Sequence, residues 1–311
     1  MTVEVIIPVY RPGKELAKLL NRINQQTLKA GRVLLMHTED GMDLSWVQDI
    51  CGETPVKEIL VEPEAFDHGG TRHLAMEESQ ADIVICMTQD AVPMNRELFA
   101  ELVAALVQEE TVAVAYARQI AGKDGDILEA YARKFNYPSE SKVKSADDLK
   151  TMGIKTYFCS NVCAAYKRRI YEEIGGFEKH IIFNEDMVYA AKAVKSGYKI
   201  AYQADAVVEH THTYTAIEQL RRNFDLGVSQ ANYPEIFQEI SSEKEGIRLV
   251  IRTAGYLLKK KKPLDIPRFG VNSVCKYMGY RLGRVYRKLP EKWVRKLTMN
   301  RRYWERKEQN G

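Results

Sequence analysis

Long apolar runs are missing from this sequence. None of the apolar segments in its 311 residues approaches the ~20 consecutive residues that a membrane-spanning helix needs. Residues 1–8 carry no basic leader, so we expect them to form a first strand and not a signal peptide. The sequence therefore predicts a protein without spanning helices.

Cysteine is also scarce, and its spacing has no recognisable pattern. The five cysteines include no Cys-x-x-Cys pair, and Cys86 and Cys163 lie inside apolar runs, as reduced core thiols do. This usage favours a cytoplasmic setting. The composition, 45% hydrophobic and 28% charged, is that of an ordinary globular protein and excludes general disorder.

Acidic residues are scarce in one part of the chain only. Residues 248–311 hold 19 lysines and arginines against four acids, a net charge of +15, although the whole chain carries only +4. The remaining residues therefore have a net charge of −11. An acidic body with a basic tail predicts an anionic partner at one end.

Strand and helix patterns alternate along the first part of the chain. Apolar strands fit residues 3–9, 32–37, 57–61, 82–87 and 112–117, with helical periodicity between several of them. Later patterns predict a helix over 185–196, a strand over 198–212 broken near Ala204, and a helix over 215–230. We expect an α/β fold with a doubly wound, mostly parallel sheet. The expected domains are a catalytic domain over 1–232 and a helical, basic extension over 233–311.

A polar break follows the apolar run at residues 82–87. It places Asp90 at the carboxyl end of a buried strand, where open α/β sheets bind their ligands. A carboxylate there can hold a divalent metal bound to phosphate oxygens. The alternative is a strand-end aspartate that only forms a turn.

A second candidate begins the helix at 185–196. Glu185 and Asp186 lie in its first turn, where acids suit the positive end of the helix dipole. We expect this field to lower the pKa of Asp186 and keep the carboxylate ionised, as a general base requires. Helix capping alone is the competing explanation.

His210 and His212 end the strand predicted over 198–212. Residues two apart on a strand point to the same face, so both imidazoles could approach one ion. With Asp90 as a third ligand, the set favours Mg²⁺ or Mn²⁺ in a mixed oxygen and nitrogen site. A structural role for the histidines is the alternative.

Three further segments could bind a nucleotide. The glycine pair in residues 66–73 lets backbone approach a ligand, and Arg72 could pair with a phosphate. Residues 38–41 end the second strand with acids that could accept hydrogen bonds from a base or ribose, and residues 8–10 could form the floor beneath a base. Each segment could also be a plain turn or loop.

Together these segments resemble, in order and spacing, a family 2 glycosyltransferase with the GT-A fold. The resemblance covers about residues 3–230 and rests on these motifs: Ile6-Ile7-Pro8-Val9-Tyr10, residues 66–73, Thr88-Gln89-Asp90, Gly175-Gly176-Phe177, Asn184-Glu185-Asp186 and His210-Thr211-His212. Within the family, the segments at 66–73 and 88–91 are most similar to bacterial rhamnosyltransferases that build cell-wall polysaccharides from dTDP-L-rhamnose.

The resemblance implies roles for individual residues. Asp186 matches the catalytic base, and Asp90 matches the last acid of the Asp-x-Asp metal motif, with His210 and His212 contributing a metal or diphosphate contact. The implied nucleotide-sugar contacts are Pro8, Tyr10, Glu39, Asp67, Arg72, Gln89, Asp90 and Glu185.

The sequence departs from the family pattern in three ways. Thr88 replaces the first acid of Asp-x-Asp, so metal ligation in that motif depends on Asp90. Residues 37–41 differ from the usual Asp-x-Ser/Gly pattern at the second strand, which puts recognition of the base in doubt. Asp67 and His73 stand where this group commonly has asparagine, which bears on the choice of donor sugar.

The basic tail contains an amphipathic pattern over residues 271–289. Seven apolar residues fall on one side of a helix and basic residues on the other: Val271, Val274, Cys275, Met278, Leu282, Val285 and Leu289, opposite Lys276, Arg281, Arg284, Arg287 and Lys288. This pattern suits a helix lying on anionic lipid. Docking on the body of the protein or dimerisation is the alternative, and nucleic acid is disfavoured by the catalytic pattern upstream.

The sequence thus predicts an inverting glycosyltransferase that uses Mg²⁺ or Mn²⁺. Its expected donor is dTDP-L-rhamnose and its expected acceptor a lipid-linked saccharide, in polysaccharide synthesis at the inner face of the cell membrane. One alternative is a sugar nucleotidyltransferase, although residues 8–13 offer only one arginine and one glycine for a triphosphate loop. The other is a non-catalytic, membrane-associated glycan-binding protein.

Overall fold

The computed structural model describes residues 1–122, 125–212, 214–238 and 243–309. The strands in this part of the chain are β1 (Val3–Val9), β2 (Arg32–Thr38), β3 (Val56–Val61), β4 (Ile83–Met87), β5 (Val92–Pro93), β6 (Val112–Ile120), β7 (Lys142–Lys144), β8 (Cys163–Lys167) and β9 (Lys199–Glu209). The α-helices are α1 (Lys14–Asn24), α2 (Val47–Cys51), α3 (His68–Glu78), α4 (Leu98–Val107), α5 (Ile127–Asn136), α6 (Leu149–Met152), α7 (Arg168–Glu173), α8 (Glu185–Lys195), α9 (Ala216–Asn232), α10 (Pro234–Phe237), α11 (Glu243–Lys259), α12 (Asp265–Arg284), α13 (Glu291–Leu297) and α14 (Arg301–Gln309).

The described residues divide into two compact units. The first contains residues 1–122, 137–179 and 185–211, and the second contains 125–136, 180–184, 212, 214–238 and 243–309. The sheet belongs to the first unit, and the long helices α9, α11 and α12 belong to the second.

The sheet of the first unit has the strand order β3-β2-β1-β4-β8-β6-β9-β5, with β7 paired to β9. The first four strands are parallel, and β6 pairs with β9 in parallel as well. Strand β8 runs antiparallel between β4 and β6. The predicted doubly wound, mostly parallel α/β fold is therefore confirmed.

The core explains why these segments form strands and helices. Every residue of β4 is buried, as a strand covered on both faces should be. Helix α1 buries four aliphatic side chains at helical spacing against this core: Leu16, Leu19, Leu20 and Ile23. Burying each one contributes about 1.5–3 kcal/mol. The sheet thus holds the carboxyl ends of β1, β2 and β4 together at one edge.

The later elements lie close to their predicted positions. Gly197 has a φ of 87° directly after the predicted helix at 185–196, observed as α8. The pairing of β9 with β6 shifts register between Gln203 and Val207, which confirms the predicted irregularity near Ala204.

The second unit is built around a close pair of helices. Gly279 and Gly283 of α12 are buried where the backbone of α9 approaches them. A methyl group added at Gly279 would overlap the carbonyl oxygen of Leu220, and one at Gly283 would overlap that of Phe224. Glycine at these positions lets the two helix backbones approach closely.

Side chains from later helices complete this unit. Phe224 and Val228 of α9 pack with Tyr286, Val294 and Trp304. Asp225 accepts hydrogen bonds from the Thr298 hydroxyl at 2.6 Å and the Met299 amide at 2.9 Å. These bonds tie the segment after α13 to α9.

The predicted helix over 271–289 is wrong at its carboxyl end. Helix α12 ends at Arg284, and Tyr286–Lys288 form a 3-10 turn. Tyr286 is buried, and its hydroxyl donates to Asn232 Oδ1 at 2.7 Å, which accounts for the change of direction. The apolar stripe is consequently divided: Leu282 and Leu289 pack inward, whereas Val271, Val274, Met278 and Val285 are exposed.

The close approach of α9 and α12 predicts how substitutions of its glycines change the free energy of unfolding. Gly279→Ala should destabilise the protein by about 1–3 kcal/mol because the added methyl group must displace the backbone of α9. Gly270→Ala, in the same helix, is the matched control, since nothing lies within 4 Å of its added Cβ. It should be neutral or stabilising by roughly 0.5–1 kcal/mol. Urea unfolding measures both, and equal effects of the two substitutions would contradict the packing described here.

Candidate active site

Two strand ends are joined by one side chain. Gln89, just after β4, accepts a hydrogen bond from the Tyr10 amide at 2.9 Å and donates to the Tyr10 carbonyl at 3.0 Å. The Tyr10 ring is 40% exposed, and the Arg11 guanidinium lies 5.2 Å from its centroid. An exposed aromatic ring at this edge, on a backbone held by Gln89, is suited to stack against a flat base.

The loop after β2 is organised by His37. Its Nδ1 lies 2.5 Å from Glu58 Oε1 and its Nε2 lies 3.0 Å from Asp40 Oδ1. Burial opposes protonation of His37, but the hydrogen bonds to the two carboxylates outweigh burial and raise the pKa of His37. Asp40 also accepts from the Arg11 amide. Glu39 is exposed beside this cluster and is bound through its backbone to Val61.

The glycine-rich segment begins α3. Asp67 caps this helix, accepting hydrogen bonds from the amides of Gly69 at 3.0 Å and Gly70 at 2.6 Å. A Cβ at Gly70 would crowd the Asp67 carboxylate, so the cap itself accounts for this glycine. A contact between Asp67 and a nucleotide sugar stays a prediction.

Arg72 lies one turn into α3 and is 5% exposed. Its Nη1 lies 3.1 Å from Glu185 Oε1 and 2.9 Å from the His68 carbonyl oxygen. Asn161 Nδ2 donates to the same Glu185 oxygen at 3.0 Å. Burial alone would raise the pKa of Glu185, but the charge of Arg72, together with His68 and the hydrogen bond from Asn161, outweighs burial and the pKa is lowered. Glu185 is therefore a buried, ionised carboxylate.

Asp186 differs from its neighbour. Burial, with the adjacent charge of Glu185, raises the pKa of Asp186 to about 7. The Asn161 amide donates to Asp186 Oδ2 at 2.9 Å and the Met187 amide to Oδ1 at 2.7 Å. The expected lowering of this pKa by the helix terminus is wrong in sign, because the donated hydrogen bonds oppose burial without overcoming it. Asp186 can consequently accept and release a proton near neutral pH.

Asp90 and His210 lie at neighbouring positions of the same unit. Asp90 Oδ2 is 3.5 Å from His210 Nε2, and His210 is 5% exposed. The other ring nitrogen, Nδ1, lies 3.2 Å from Gln119 Oε1. The imidazole thus lies between an amide and a carboxylate.

This pair fits a shared divalent ion. Oxygen and nitrogen ligands bind such ions at about 2.0–2.2 Å, so two neighbouring ligand atoms lie roughly 3–3.5 Å apart. The observed separation is 3.5 Å. The Thr88 hydroxyl, two residues before Asp90, is buried and makes no hydrogen bond within the described residues.

His212 lies at the start of the second unit. Its side chain is exposed, its backbone amide donates to Glu129 Oε1 at 2.8 Å, and its ring stacks on Tyr214 with centroids 5.4 Å apart. Its proposed contact with a metal stays a prediction that depends on its spacing of two residues from His210.

Sequence reasoning missed Asn161 and Gln119. Asn161 contacts both Glu185 and Asp186, and Gln119 contacts His210. The sequence signal for both residues was weak. Gln119 is a polar residue just after the apolar strand pattern at 112–117, and Asn161 is one just before the strand at 163–167.

The family model described as "Glycosyl transferase family 2" matches residues 4–175, which is more than half of the chain. The chain belongs to this family and is a glycosyltransferase. Its strand order and helices are those of the GT-A fold. Membership of this family decides against both the nucleotidyltransferase and the non-catalytic alternatives.

Two curated proteins are similar over almost their whole length. The chain is 37% identical to the O-antigen chain rhamnosyltransferase RfbN of Salmonella typhimurium, covering 98% of this chain and 96% of that protein. It is 35% identical to the O-antigen chain rhamnosyltransferase WbaN of Salmonella anatum, with 96% and 95% covered. The predicted resemblance to rhamnosyltransferases of this family is confirmed by these matches.

Solved structures share the fold at low sequence identity. The mannosyltransferase PcManGT from Pyrobaculum calidifontis, in complex with GDP-Man and Mn²⁺, superposes with a TM-score of 0.55 at 16% identity. The match covers 99% of this chain and 86% of that one. Residues 1–349 of S. aureus TarS give a TM-score of 0.55 at 17% identity, with 93% and 92% covered.

The buried ion pair makes a further stability prediction. Arg72→Met leaves Glu185 buried without its counter-charge and should cost about 3–5 kcal/mol. Arg169→Met is the control, because Arg169 is largely exposed in its contacts with Glu110 and Glu173, and should cost less than about 1 kcal/mol. Urea unfolding measures both losses.

The double substitution Arg72→Met/Glu185→Gln separates the ion pair from simple packing. Removing both charges should recover a large part of the loss. If the stability losses of the two single substitutions simply add in the double variant, the two side chains do not stabilise each other.

Proposed function

We propose that this protein is an inverting rhamnosyltransferase of polysaccharide synthesis. It transfers L-rhamnose from dTDP-L-rhamnose to a hydroxyl of a lipid-linked saccharide. The observation that carries the mechanism is Asp186, whose pKa of about 7 suits a general base at neutral pH. The names of RfbN and WbaN support the choice of sugar and pathway.

Asp186 acts on the acceptor. Its carboxylate removes the proton of the acceptor hydroxyl as that oxygen attacks the anomeric carbon. The new carbon–oxygen bond forms on the face opposite the nucleotide, and the bond to the diphosphate oxygen breaks. A positioned base typically contributes about 10²–10⁴ in rate. The amides of Asn161 and Met187 hold the carboxylate in place for this step.

The donor lies along the carboxyl ends of β1, β2 and β4 in this proposal. Pro8 and the exposed ring of Tyr10 receive the base, with Gln89 fixing the Tyr10 backbone. Glu39 is exposed beside them and accepts from the base or ribose. The remaining donor-side residues are Asp67, Arg72, Asp90 and Glu185.

Arg72 and Glu185 act on this side mainly as a pair. The Arg72 guanidinium is already paired with Glu185, so the positive charge it offers a diphosphate is partly compensated. The pair fixes the start of α8 and with it the position of Asp186.

Asp90 and His210 hold Mg²⁺ or Mn²⁺ in this proposal, and His212, two residues further along the chain, is the third candidate ligand. A bound divalent ion offsets the charge that develops on the leaving diphosphate. Asp90 is the single acid of its motif, so this site depends on one carboxylate.

We propose that the catalytic domain spans residues 1–232 and that the basic extension over 233–311 binds the inner face of the cell membrane. In the described part of the chain, no helix is long and apolar enough to cross a bilayer. Helices α11 and α12 nevertheless expose large apolar side chains: Ile247, Val250, Ile251, Leu258, Val271, Val274, Tyr277 and Met278. Arginines and lysines accompany them on both helices and on the loop at 260–262. Exposed apolar and basic groups together suit anionic lipid.

Asp186→Asn tests the catalytic proposal. The substitution keeps the shape of the side chain and removes the base, so transfer should fall at least about 10²-fold while dTDP-rhamnose binding is retained. Radiolabelled transfer and calorimetric donor binding measure the two effects. Asp205→Asn, at an exposed acid of the same unit, is the control. Full turnover by Asp186→Asn would refute the role.

Ile251→Asp tests the membrane proposal. Ile251 is 67% exposed on α11, and placing a charge there should weaken binding to phosphatidylglycerol vesicles roughly tenfold or more. Ile217→Asp, at a 63% exposed position on α9 of the same unit, is the control and should bind as the wild type does. Vesicle co-sedimentation reports both, and high salt should weaken wild-type binding.

Two results would count against this proposal. One is equal vesicle binding by the Ile251 and Ile217 variants. The other is a stable homodimer in light scattering that only Ile251→Asp dissociates, which would assign the exposed face to a second copy of the chain.

A further inference from the structure

We propose that Gln119 is a positioning residue that sets the tautomer of His210, so that Nε2 faces Asp90 with its lone pair available to a divalent cation. This inference rests on the proposed metal site. It adds a residue that none of the sequence motifs contains. Gln119 lies in β6. The carbonyl of the next residue, Ile120, accepts a hydrogen bond from the His210 amide.

Hydrogen bonds hold the side-chain amide of Gln119 in the structure. The side chain is 2% exposed, and its Nε2 donates to the Tyr137 hydroxyl at 2.5 Å and to Ser160 Oγ at 2.9 Å. These two bonds use both amide hydrogens. The atom turned towards His210 is the carbonyl oxygen Oε1, 3.2 Å from Nδ1.

A carbonyl oxygen can only accept. In this orientation of the amide, His210 Nδ1 carries the ring proton of the neutral imidazole and Nε2 is the unprotonated nitrogen. Nε2 is the atom that lies 3.5 Å from Asp90 Oδ2. Gln119 thus orients the ring so that a nitrogen ligand and an oxygen ligand already face each other in the metal-free protein.

The opposite amide orientation makes the opposite prediction. With the amide group reversed, Nδ1 would accept from the –NH₂ group and Nε2 would carry the proton. The two orientations therefore differ in a property that can be measured without metal, donor or turnover.

A neutral amide also suits this position chemically. Partners of ligating histidines fix the ring and raise its basicity, and their loss typically costs about 10–100-fold in metal affinity. Gln119 provides this contact from the strand next to β9 without adding a charge to the site. Its second bond, to Ser160, reaches the residue beside Asn161, whose amide holds Asp186.

The first test is the imidazole ¹⁵N spectrum of metal-free protein at mildly alkaline pH, with the His210 signals assigned by comparison with His210→Gln. We expect wild type to show protonated Nδ1 and unprotonated Nε2. A spectrum with protonated Nε2 would overturn the assignment, and this result needs no Gln119 variant.

The second test compares Gln119→Met with Gln119→Glu. Methionine keeps the length of the side chain and removes the acceptor, so Mn²⁺ affinity, followed by the electron paramagnetic resonance of free Mn²⁺, should fall about 10–100-fold. Glutamate retains an oxygen facing Nδ1 and should restore the single tautomer and most of the affinity. Unchanged Mn²⁺ affinity in Gln119→Met, or equal loss in both variants, would overturn the role.

The two proposals can fail separately. If wild type binds no Mn²⁺ but shows the expected tautomer, the metal site of the proposed function fails and the assignment of the tautomer stands. If Mn²⁺ binds and is lost in Asp90→Ala while Gln119→Met binds as wild type does, the metal site stands and the role of Gln119 fails.

Discussion

The structure of this site depends on two adjacent carboxylates, one buried and one half-buried, of which, within the described residues, only the buried one is paired with a guanidinium. Arg72 is paired with Glu185, which stays ionised. Asp186 has no such partner in this part of the chain, so burial and the negative charge of Glu185 raise its pKa. Two carboxyl groups in nearly the same place therefore have opposite pKa shifts. This separation gives one of them a structural charge and the other a proton affinity useful near neutral pH.

Hydrogen bonds link these two carboxylates to His210, on the proposed metal side of the site. Asn161 holds both carboxylates, and its neighbour Ser160 accepts from Gln119, which in turn contacts His210 beside Asp90. The acceptor-side base and the donor-side ligands are thus positioned by one run of buried and half-buried polar groups in the first unit. Because buried polar groups are costly when unpaired, a substitution at any member should affect its neighbours.

The sequence predicts the elements of this fold well because the signals are local. The apolar run at residues 82–87 and the glycine after α8 each depend on a few neighbouring residues, and the strand, its burial and the helix end follow. The division of the predicted helix at 271–289 could not be predicted in this way. It depends on Tyr286 meeting Asn232 of α9, a contact distant in the sequence.

The same distinction applies to the site. Asp90, Asp186 and His210 are marked by their places at strand and helix ends, and family motifs supply their expected roles. The sign of the pKa shift of Asp186 depends on the depth of burial and on which carboxylate Arg72 reaches, and neither is local. Asn161 and Gln119 were missed for the same reason, since the candidate site residues that they contact lie 24 or more residues away in the sequence.

The most direct test of the account is the pH dependence of kcat/KM for sugar transfer, in wild type and in Glu185→Gln. A base is active when unprotonated, so wild-type activity should rise with pH through about 7. Glu185→Gln removes the neighbouring negative charge and leaves Arg72, so this rise should move to lower pH. A wild-type rise near the ordinary carboxylate pKa of about 4, or a rise that Glu185→Gln does not move, would contradict the account.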